Sequence, residues 1–158
     1  MAYLIDGNNL LGRVAPEELR QRSGRGALVA KLLAFQKVTR TRLHLVFDGN
    51  PERERTEVPV NPKFTVLYPG EGETADDVIE DVVRRLTDRR RFFVVSSDRA
   101  VREFAKASGV TAVTSEEFAR ELKAAIKERR KQKELEKHVR TPSPLEVDLW
   151  DEVFKAKP

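Results

Sequence analysis

Short apolar runs that alternate with helical patterns are the feature that most restricts how this chain can fold. The runs are rich in β-branched and aromatic residues and almost continuously apolar, which is typical of strands covered on both faces. They occupy residues 3–6, 43–48, 64–68, 92–97 and 111–113. Helical patterns, with apolar residues three or four positions apart, occupy residues 28–38, 79–86, 101–105 and 118–126.

Strands that alternate with helices in this way predict parallel pairing through right-handed crossovers. We therefore expect an α/β fold, namely a three-layer α/β/α sandwich with a mostly parallel central sheet. Two signatures of helix starts support the division into elements. Thr74 with Asp77, and Thr114 with Glu117, each place a hydroxyl at the cap position and a carboxylate three residues later.

The C-terminal part of the chain carries an excess of positive charge. Residues 120–140 contain nine Lys or Arg and four Glu, a net charge of +5, whereas the whole chain has +4. The apolar stripe of the last helical pattern ends at Ile126, so the basic helix beyond it is expected to project from the globular part. A short amphipathic helix is predicted between Leu145 and Phe154.

We expect residues 1–126 to form one globular domain and residues 127–158 to form a basic helical arm with the short amphipathic helix. A near-neutral body with a basic arm predicts a polyanionic partner, because clustered Lys and Arg displace counterions from a phosphate backbone. A solvated helix with mixed charges is the alternative. Candidate phosphate contacts in the arm are Lys127, Arg129, Arg130 and Lys131.

Composition excludes several kinds of chemistry. The chain has no cysteine, which excludes disulfides, zinc–thiolate sites, iron–sulfur clusters and cysteine nucleophiles. Its two histidines, His44 and His138, are too few for a histidine-rich metal site. No apolar run is long enough to span a membrane and the N-terminus lacks a signal-peptide pattern, so we expect a cytoplasmic protein without a membrane partner. Any catalysis must therefore rest on carboxylates.

Four aspartates are predicted to meet at one edge of the sheet. Asp6, Asp48 and Asp98 end apolar runs or follow them directly, and Asp76 opens the helix after the run at residues 64–68. The carboxyl ends of parallel strands share one edge, where α/β proteins bind ligands. Each aspartate has a simpler interpretation as a turn or helix-cap residue. Their convergence is what indicates a site.

The helical period distinguishes Asp76 from its neighbour Asp77. Asp76 lies on the same helical line as Ile79 and Val83 and is expected to face the sheet, whereas Asp77 is the capping-box acid and faces solvent. Asp76 is therefore the predicted site residue. Asp77 and Glu80 are accessory candidates.

Carboxylates crowded together need a counter-charge, because like charges raise one another's pKa and oppose folding. Oxygen ligands without Cys or His favour one or two Mg²⁺ or Mn²⁺ ions, which activate water and stabilise the attacking and leaving oxygens at phosphorus. The predicted reaction is phosphodiester hydrolysis. Asn8, Asn9 and Ser96 are expected at the same edge, where they can orient water or a phosphate oxygen. Candidate phosphate contacts in or after its loops are Arg13, Arg53, Arg55, Arg99 and Arg102.

Four motifs occur in a characteristic order: Asp6-Gly-Asn-Asn9, Val46-Phe-Asp-Gly49, Glu73-Thr-Ala-Asp-Asp77 and Val95-Ser-Ser-Asp98-Arg99. As a set they resemble those of the YacP-like NYN-domain ribonucleases, which belong to the PIN-like nuclease superfamily. The resemblance covers about residues 2–122. It implies a PIN-like fold and a bacterial, metal-dependent endoribonuclease, which in some relatives acts on messenger RNA at the ribosome.

By motif position, the resemblance implies metal-ligand roles for Asp6, Asp76 and Asp98. It also implies a polar supporting role for Asn9 and an accessory acidic role for Asp48. These residues form the candidate catalytic set. The partners that the resemblance implies are RNA, messenger RNA in particular, and the ribosome.

The main alternative is a non-catalytic RNA-binding or scaffold module on the same fold. Two other folds fit less well. A phosphoacceptor receiver domain requires paired acids at the first strand and a lysine after the fifth, where this chain has Asp6 alone and Thr114. A dinucleotide site in the segment from Gly70 would place Glu71 and Glu73 against a pyrophosphate.

Overall fold

The chain folds around one central sheet. A computed structural model describes residues 1–14, 22–49 and 54–140. The strands are β1 (Ala2–Asp6), β2 (Arg42–Val46), β3 (Thr56–Asn61), β4 (Phe64–Tyr68), β5 (Phe92–Val95) and β6 (Thr111–Val113). The helices are α1 (Gly7–Val14), α2 (Arg22–Thr39), α3 (Ala75–Arg84), α4 (Arg99–Ala107) and α5 (Ser115–Arg140).

The sheet has the strand order β3-β4-β2-β1-β5-β6 and is parallel except for β3, which pairs antiparallel with β4. Asp6 of β1 lies opposite Val46 of β2, and Ile5 lies opposite Val95 of β5. Within the sheet, β2, β4 and β3 lie on one side of β1, and the later strands β5 and β6 lie on its other side. The carboxyl end of β1 is therefore a topological switch point, where α/β proteins form ligand crevices. The mostly parallel sheet confirms the predicted fold class.

Two apolar cores lie on the two faces of the sheet. On one face, α1, α2 and α5 pack over strand residues that include Ile5, Leu45 and Phe64. On the other face, α3 and α4 cover Leu4 and Val94. Neighbouring residues of β1 thus face opposite cores, as the pleat of a strand requires. This arrangement is the three-layer sandwich that the sequence predicts.

Two strands end earlier than predicted, and this affects the site. β2 ends at Val46 and β5 ends at Val95, two residues before the predicted ends at Asp48 and Ser97. Asp48 and Asp98 therefore lie in the loops that follow the strands and not in the last row of the sheet. Side chains on such loops can turn toward a common point above the strand ends.

No pattern in the sequence indicates β3. This strand contains Pro59, which lacks a backbone N–H, and its four central residues are exposed. Both features are permitted because β3 lies at the edge of the sheet, where one side of the strand needs no ladder hydrogen bonds. The pairing with β4 shifts register between Pro59 and Asn61. An exposed edge strand lacks the apolar alternation by which strands are identified from sequence.

The sequence does not indicate α1 either, because Gly-Asn-Asn is typical of a turn. The helix begins at Gly7, directly after β1. A Cβ added at this position would lie 2.6 Å from the ring of Phe47 and 2.8 Å from the carbonyl oxygen of Val46. Only glycine permits this approach, and it allows the helix to start without a connecting loop. The asparagines after Gly7 consequently remain at the edge of the sheet.

α5 extends well beyond the sheet. Its 26 residues correspond to about 39 Å, whereas a five-residue strand spans about 17 Å. Its buried positions end at Ala125, and nearly all side chains at residues 127–138 are exposed, in agreement with the predicted loss of the apolar stripe after Ile126. The helix crosses the predicted domain boundary at residue 126 without a break. The helix predicted at residues 145–154 lies outside the described residues.

The length of α5 does not make it a membrane helix. Its exposed part is charged, and no helix within residues 1–14, 22–49 and 54–140 is long and apolar enough to cross a membrane.

We predict that Gly7→Ala destabilises the protein by about 1–3 kcal/mol, because the added methyl group must displace both the Phe47 ring and backbone at Val46. Gly26→Ala in α2 is the matched control, since nothing lies within 4 Å of its added Cβ. This control should stabilise the protein by about 0.5–1 kcal/mol through helix propensity. Thermal and urea unfolding measure both effects. Equal effects of the two substitutions would show that α1 does not approach β2 this closely.

Candidate active site

Asp6 lies at the carboxyl end of the central strand β1 and is only 6% exposed. Its Oδ2 accepts a hydrogen bond of 3.0 Å from the hydroxyl of the fully buried Ser96, and its Oδ1 accepts a longer one of 3.4 Å from the backbone N–H of Asn9. Burial, together with the smaller effect of the carboxylates of Asp76 and Asp48, raises the pKa of Asp6 to about 6 in spite of these hydrogen bonds. The two hydrogen bonds thus offset only part of the cost of burying the charged carboxylate of Asp6.

Asp76 lies in the first turn of α3 and is partly buried. Burial raises the pKa of its carboxyl group, and the negative charges of Asp98 and Asp48 raise it too. Its neighbour Asp77 is exposed and forms the capping box with Thr74, as the sequence predicts. The structure therefore supports the choice of Asp76 over Asp77 as the side chain that faces the other aspartates.

Asp48 and Asp98 are held by the N-termini of helices. Oδ1 of Asp48 accepts a hydrogen bond of 2.8 Å from the backbone N–H of Ala75, the first residue of α3. Oδ1 of Asp98 accepts hydrogen bonds of 2.9 and 3.2 Å from Ala100 and Val101, which makes Asp98 the N-cap of α4. The simpler interpretation of Asp98 as a helix cap therefore applies to one of its oxygens, and Asp48, for which the simpler interpretation is a turn, also uses one oxygen at a helix start. The other oxygen of each has no hydrogen-bond partner in the described part of the chain.

The four aspartates interact electrostatically at one edge of the sheet. The negative charges of Asp48 and Asp76 raise the pKa of Asp6, and the negative charges of Asp48 and Asp98 raise the pKa of Asp76. None of the four forms an ion pair with a Lys or Arg among residues 1–14, 22–49 and 54–140. The convergence of these residues on a single edge is thus what the structure shows.

As oriented, no three His, Asp or Glu side chains within the described ranges are close enough to hold one metal ion together. The donor chemistry nevertheless fits a hard divalent cation, since uncompensated carboxylates are the ligands that Mg²⁺ and Mn²⁺ prefer. The side chains would have to rotate toward a common point to share an ion. The ligand set Asp6, Asp76 and Asp98 stays a prediction.

The side-chain amide of Asn9 is fixed in one orientation. Its Oδ1 accepts hydrogen bonds of 2.8 Å from the backbone N–H of Ser97 and 2.7 Å from the hydroxyl of the fully buried Ser115. Because a backbone N–H can only donate, the oxygen must lie on this side, and Nδ2 must point away from it. Nδ2 has no partner among the described residues and is not buried. Asn9 can therefore donate hydrogen bonds to an anionic oxygen.

A chain of hydrogen bonds links this edge to the start of α5. The hydroxyl of Ser97 donates to Glu116 at 2.5 Å and accepts from the backbone N–H of Ser115 at 3.0 Å. Arg13, near the end of α1, forms an ion pair with Glu116 at 3.2 Å. No local pattern points to these contacts, because Ser115 and Asn9 are 106 residues apart. In the sequence, Ser115 and Glu116 indicate only the start of a helix.

The accessory candidates occupy supporting positions. Oδ1 of Asn8 accepts a hydrogen bond of 3.2 Å from the backbone N–H of Asp48. Ser96, which also donates to the first aspartate of the site, accepts a hydrogen bond of 3.1 Å from the backbone N–H of Asp98. Glu80 pairs with an arginine on its own helix at 3.5 Å. Asn8 and Ser96 thus hold the loops that carry the aspartates and are not free to contact a ligand with the atoms already engaged.

The arginines predicted at the rim have different surroundings. Arg55 forms ion pairs of 2.5 and 2.6 Å with two carboxylates and thereby connects the start of β3 to α3. Because its charge is already paired, Arg55 is the weakest of these candidates for a phosphate contact. Arg99 is exposed and pairs with an acid one turn later on its helix. Arg102 has a buried Nε without a hydrogen-bond partner. Arg13 is half-exposed beside α5, and Arg53 lies outside the described residues.

We predict that Asp6→Asn stabilises the metal-free protein at neutral pH. The pKa of Asp6 rises from an ordinary 3.8 to about 6 on folding, so ionisation opposes folding. The stability present below pH 4 is lost as the pH rises through 6. Asparagine cannot ionise, so its advantage should be about 1–3 kcal/mol at pH 7.5 and disappear near pH 4. Urea unfolding in chelator at both pH values measures the difference, and an equal advantage at both would contradict it.

Comparison with known proteins agrees with the fold and the motifs. The model of the YacP-like NYN domain, a nuclease-like family, matches residues 3–156 and so extends beyond residues 2–122, for which the motifs indicate the resemblance. The "Uncharacterized protein YacP" of Bacillus subtilis (strain 168) is 26% identical over 157 residues, which cover 96% of this chain and 91% of the relative. The crystal structure of Rae1 (YacP) from Bacillus subtilis has a TM-score of 0.70 and 26% identity, over 98% of this chain and 91% of that one. A Trp-to-Leu variant of Rae1 gives a TM-score of 0.70 and 25% identity, over 94% of this chain and 89% of that one. The chain belongs to the YacP-like NYN domain family.

Proposed function

We propose that this protein is a divalent-metal-dependent endoribonuclease that hydrolyses phosphodiester bonds of RNA. The observation that carries the proposal is the group of four aspartates at the switch point of the sheet, where burial and mutual repulsion raise the pKa of Asp6 and Asp76. None of the four pairs with a cationic side chain of the described residues. Such an arrangement opposes folding unless a cation binds there. Membership in a nuclease-like family supports the same reaction class.

The metal is proposed to be Mg²⁺ or Mn²⁺, as one or two ions, held by Asp6, Asp76 and Asp98, with Asp48 as an accessory acid. When bound, such an ion lowers the pKa of a coordinated water and stabilises negative charge on the oxygens of a phosphate. The chain's own contribution is to hold the carboxylates in place through Ser96 and the N-termini of α3 and α4.

Asn9 is proposed to bind and orient the scissile phosphate. Its Nδ2 is the free half of an amide whose other half is held by Ser97 and Ser115. A neutral donor at this position can contact a phosphate oxygen without adding charge to the site. The family resemblance extends the proposal to messenger RNA at the ribosome in the bacterial cytoplasm.

A non-catalytic RNA-binding module is the second candidate. It is favoured by the orientation of the carboxylates, of which no three are placed to share an ion within the described residues. The basic part of α5 would serve either function. Lys127, Arg130 and Lys131 are exposed, whereas Arg129 is 23% exposed and pairs with a glutamate at 3.9 Å.

We predict that a long single-stranded RNA is cleaved in Mg²⁺ or Mn²⁺ and remains intact in chelator. Asp76→Asn should lower the rate at least about a hundredfold, because it removes a proposed ligand of the ion. Asp88→Asn is the matched control, since Asp88 is exposed in the loop before β5, at the opposite edge of the sheet. Gel analysis of cleavage rates, with identification of the product ends, measures both variants.

Two results would contradict the nuclease proposal. Cleavage that persists in chelator would exclude a metal-dependent reaction. Equal activity of Asp76→Asn and the parent protein would exclude the four aspartates as the active site. Absence of cleavage combined with salt-sensitive RNA binding would favour the binding module.

We also predict that Ser115→Ala lowers kcat about tenfold with little change in KM, because Asn9 loses one of the two donors that orient its amide. Ser115→Thr keeps the hydroxyl and should restore part of the rate. A purely structural role would instead lower the unfolding temperature of both variants in proportion to their activity. Steady-state kinetics and thermal unfolding of the two variants separate these cases.

A further inference from the structure

Five of the exposed cations of α5 lie on one side of the helix. Arg120, Lys123, Lys127, Arg130 and Lys131 are all exposed, and we call this set the cationic stripe. At 3.6 residues per turn, steps of three or four residues place them within about a third of the helix circumference. No acidic residue between positions 120 and 131 falls in this sector.

Three acids of the same helix lie on a neighbouring line. Glu117, Glu121 and Glu128 follow one another at steps of four and seven residues and are exposed. As a result, Lys123 and Lys127 are a like-charge pair four residues apart, and so are Glu117 and Glu121. Such pairs destabilise a helix, whereas a helix that only needs to be soluble alternates opposite charges at this spacing.

Glu116 and Glu134 lie in the same sector as the stripe, at its two ends, four residues from Arg120 and Arg130 respectively. Between these ends, a row of five cations without an acid is the charge pattern of a surface that binds a polyanion.

The ion pairing of the stripe differs from that of several arginines elsewhere in the molecule. Within the residues that the structure describes, none of its members forms an ion pair. Arg84 and Arg85 at the end of α3 and Arg99 in α4 all pair with acids of their own helices. Arg129, which lies outside the stripe, pairs with Glu136. The stripe thus keeps its charge available.

The stripe starts beside the candidate active site. Arg120 lies one turn after Glu116, which accepts a hydrogen bond from Ser97 of the site loop. Between α1 and α5 there is a cleft of about 240 Å³ lined by Arg13, Glu116, Arg120 and Lys123, three cations against one acid. From this cleft the stripe runs along α5 for about 16 Å to Lys131.

We propose that the cleft and the cationic stripe form a phosphate-binding track for single-stranded RNA that leads from the active site along α5. One row of cations matches one backbone, and contacts to phosphates alone give binding without sequence preference. The direction of the track rests on the proposed function, because it assumes that RNA also reaches the aspartates. Binding to the stripe does not depend on cleavage.

The test is the salt dependence of RNA binding. A fluorescein-labelled single-stranded RNA of about 20 nucleotides is titrated with the full-length protein in chelator, where no cleavage is expected, at several salt concentrations. For a single strand, each cation that contacts a phosphate contributes about 0.7 to the slope of log K against log salt. Lys123→Gln combined with Lys127→Gln should therefore reduce the slope by about 1.4.

The matched control replaces two exposed lysines of another helix, Lys31→Gln combined with Lys37→Gln in α2, and should leave the slope unchanged. Lys127→Gln combined with Arg130→Gln is a second test pair, which lies beyond the last buried position of α5 and cannot disturb the core. It should reduce the slope by the same amount. Circular dichroism verifies that all variants are folded.

The proposal is overturned if the control lowers the slope as much as the stripe variants, if neither stripe variant changes it, or if the parent protein does not bind the RNA. Its failure is distinguishable from failure of the nuclease proposal. RNA cleavage with an unchanged slope would leave the nuclease and remove the track. A reduced slope without any cleavage in Mg²⁺ or Mn²⁺ would leave the track and remove the nuclease.

Discussion

The negative charge gathered at the carboxyl end of β1 is the interaction on which the site depends. Like charges this close oppose folding, and Asp6 is buried as well, so its pKa rises to about 6. Hydrogen bonds from neutral donors stabilise these carboxylates. Ser96 donates to Asp6, and the N-termini of α3 and α4 donate to Asp48 and Asp98. Dipoles lower the energy of each carboxylate but leave the net charge in place, and the proposed divalent cation would neutralise that charge.

The second requirement is that several distant segments meet at the same edge. Gly7 permits α1 to begin against β2, which keeps Asn9 only three residues from Asp6. The amide of Asn9 then joins the loop after β5 to the first residue of α5 through Ser97 and Ser115. A connecting loop between β1 and α1 would separate the amide from the carboxylate. The glycine and the amide network thus place a neutral donor beside the acids without a cation.

The sequence predicts those parts of the molecule that local patterns determine. The buried strands are continuous apolar runs, and the capping box of Thr74 and Asp77 requires only neighbouring residues, so these elements and the choice of Asp76 follow from the chain alone. The sequence does not predict β3, because Pro59 and exposure on both faces of the strand remove the apolar alternation of a typical strand. The sequence does not predict the hydrogen bond from Ser115 to Asn9 either, because this bond joins residues that only the tertiary structure brings together.

A nuclease with an acidic site must bind a polyanion that its own carboxylates repel. Cations placed among the aspartates would solve this by forming ion pairs with them, but they would then occupy the oxygens that a metal ion needs. The structure separates the two charges instead. The aspartates lie at the end of β1, in the loops after β2 and β5 and in the first turn of α3, whereas the stripe lies on α5 and begins one turn beyond Glu116. Within residues 1–14, 22–49 and 54–140, neither the four aspartates nor the members of the stripe form ion pairs. On this view, affinity for RNA should follow the salt concentration and cleavage should follow the metal, because the two depend on different parts of the molecule.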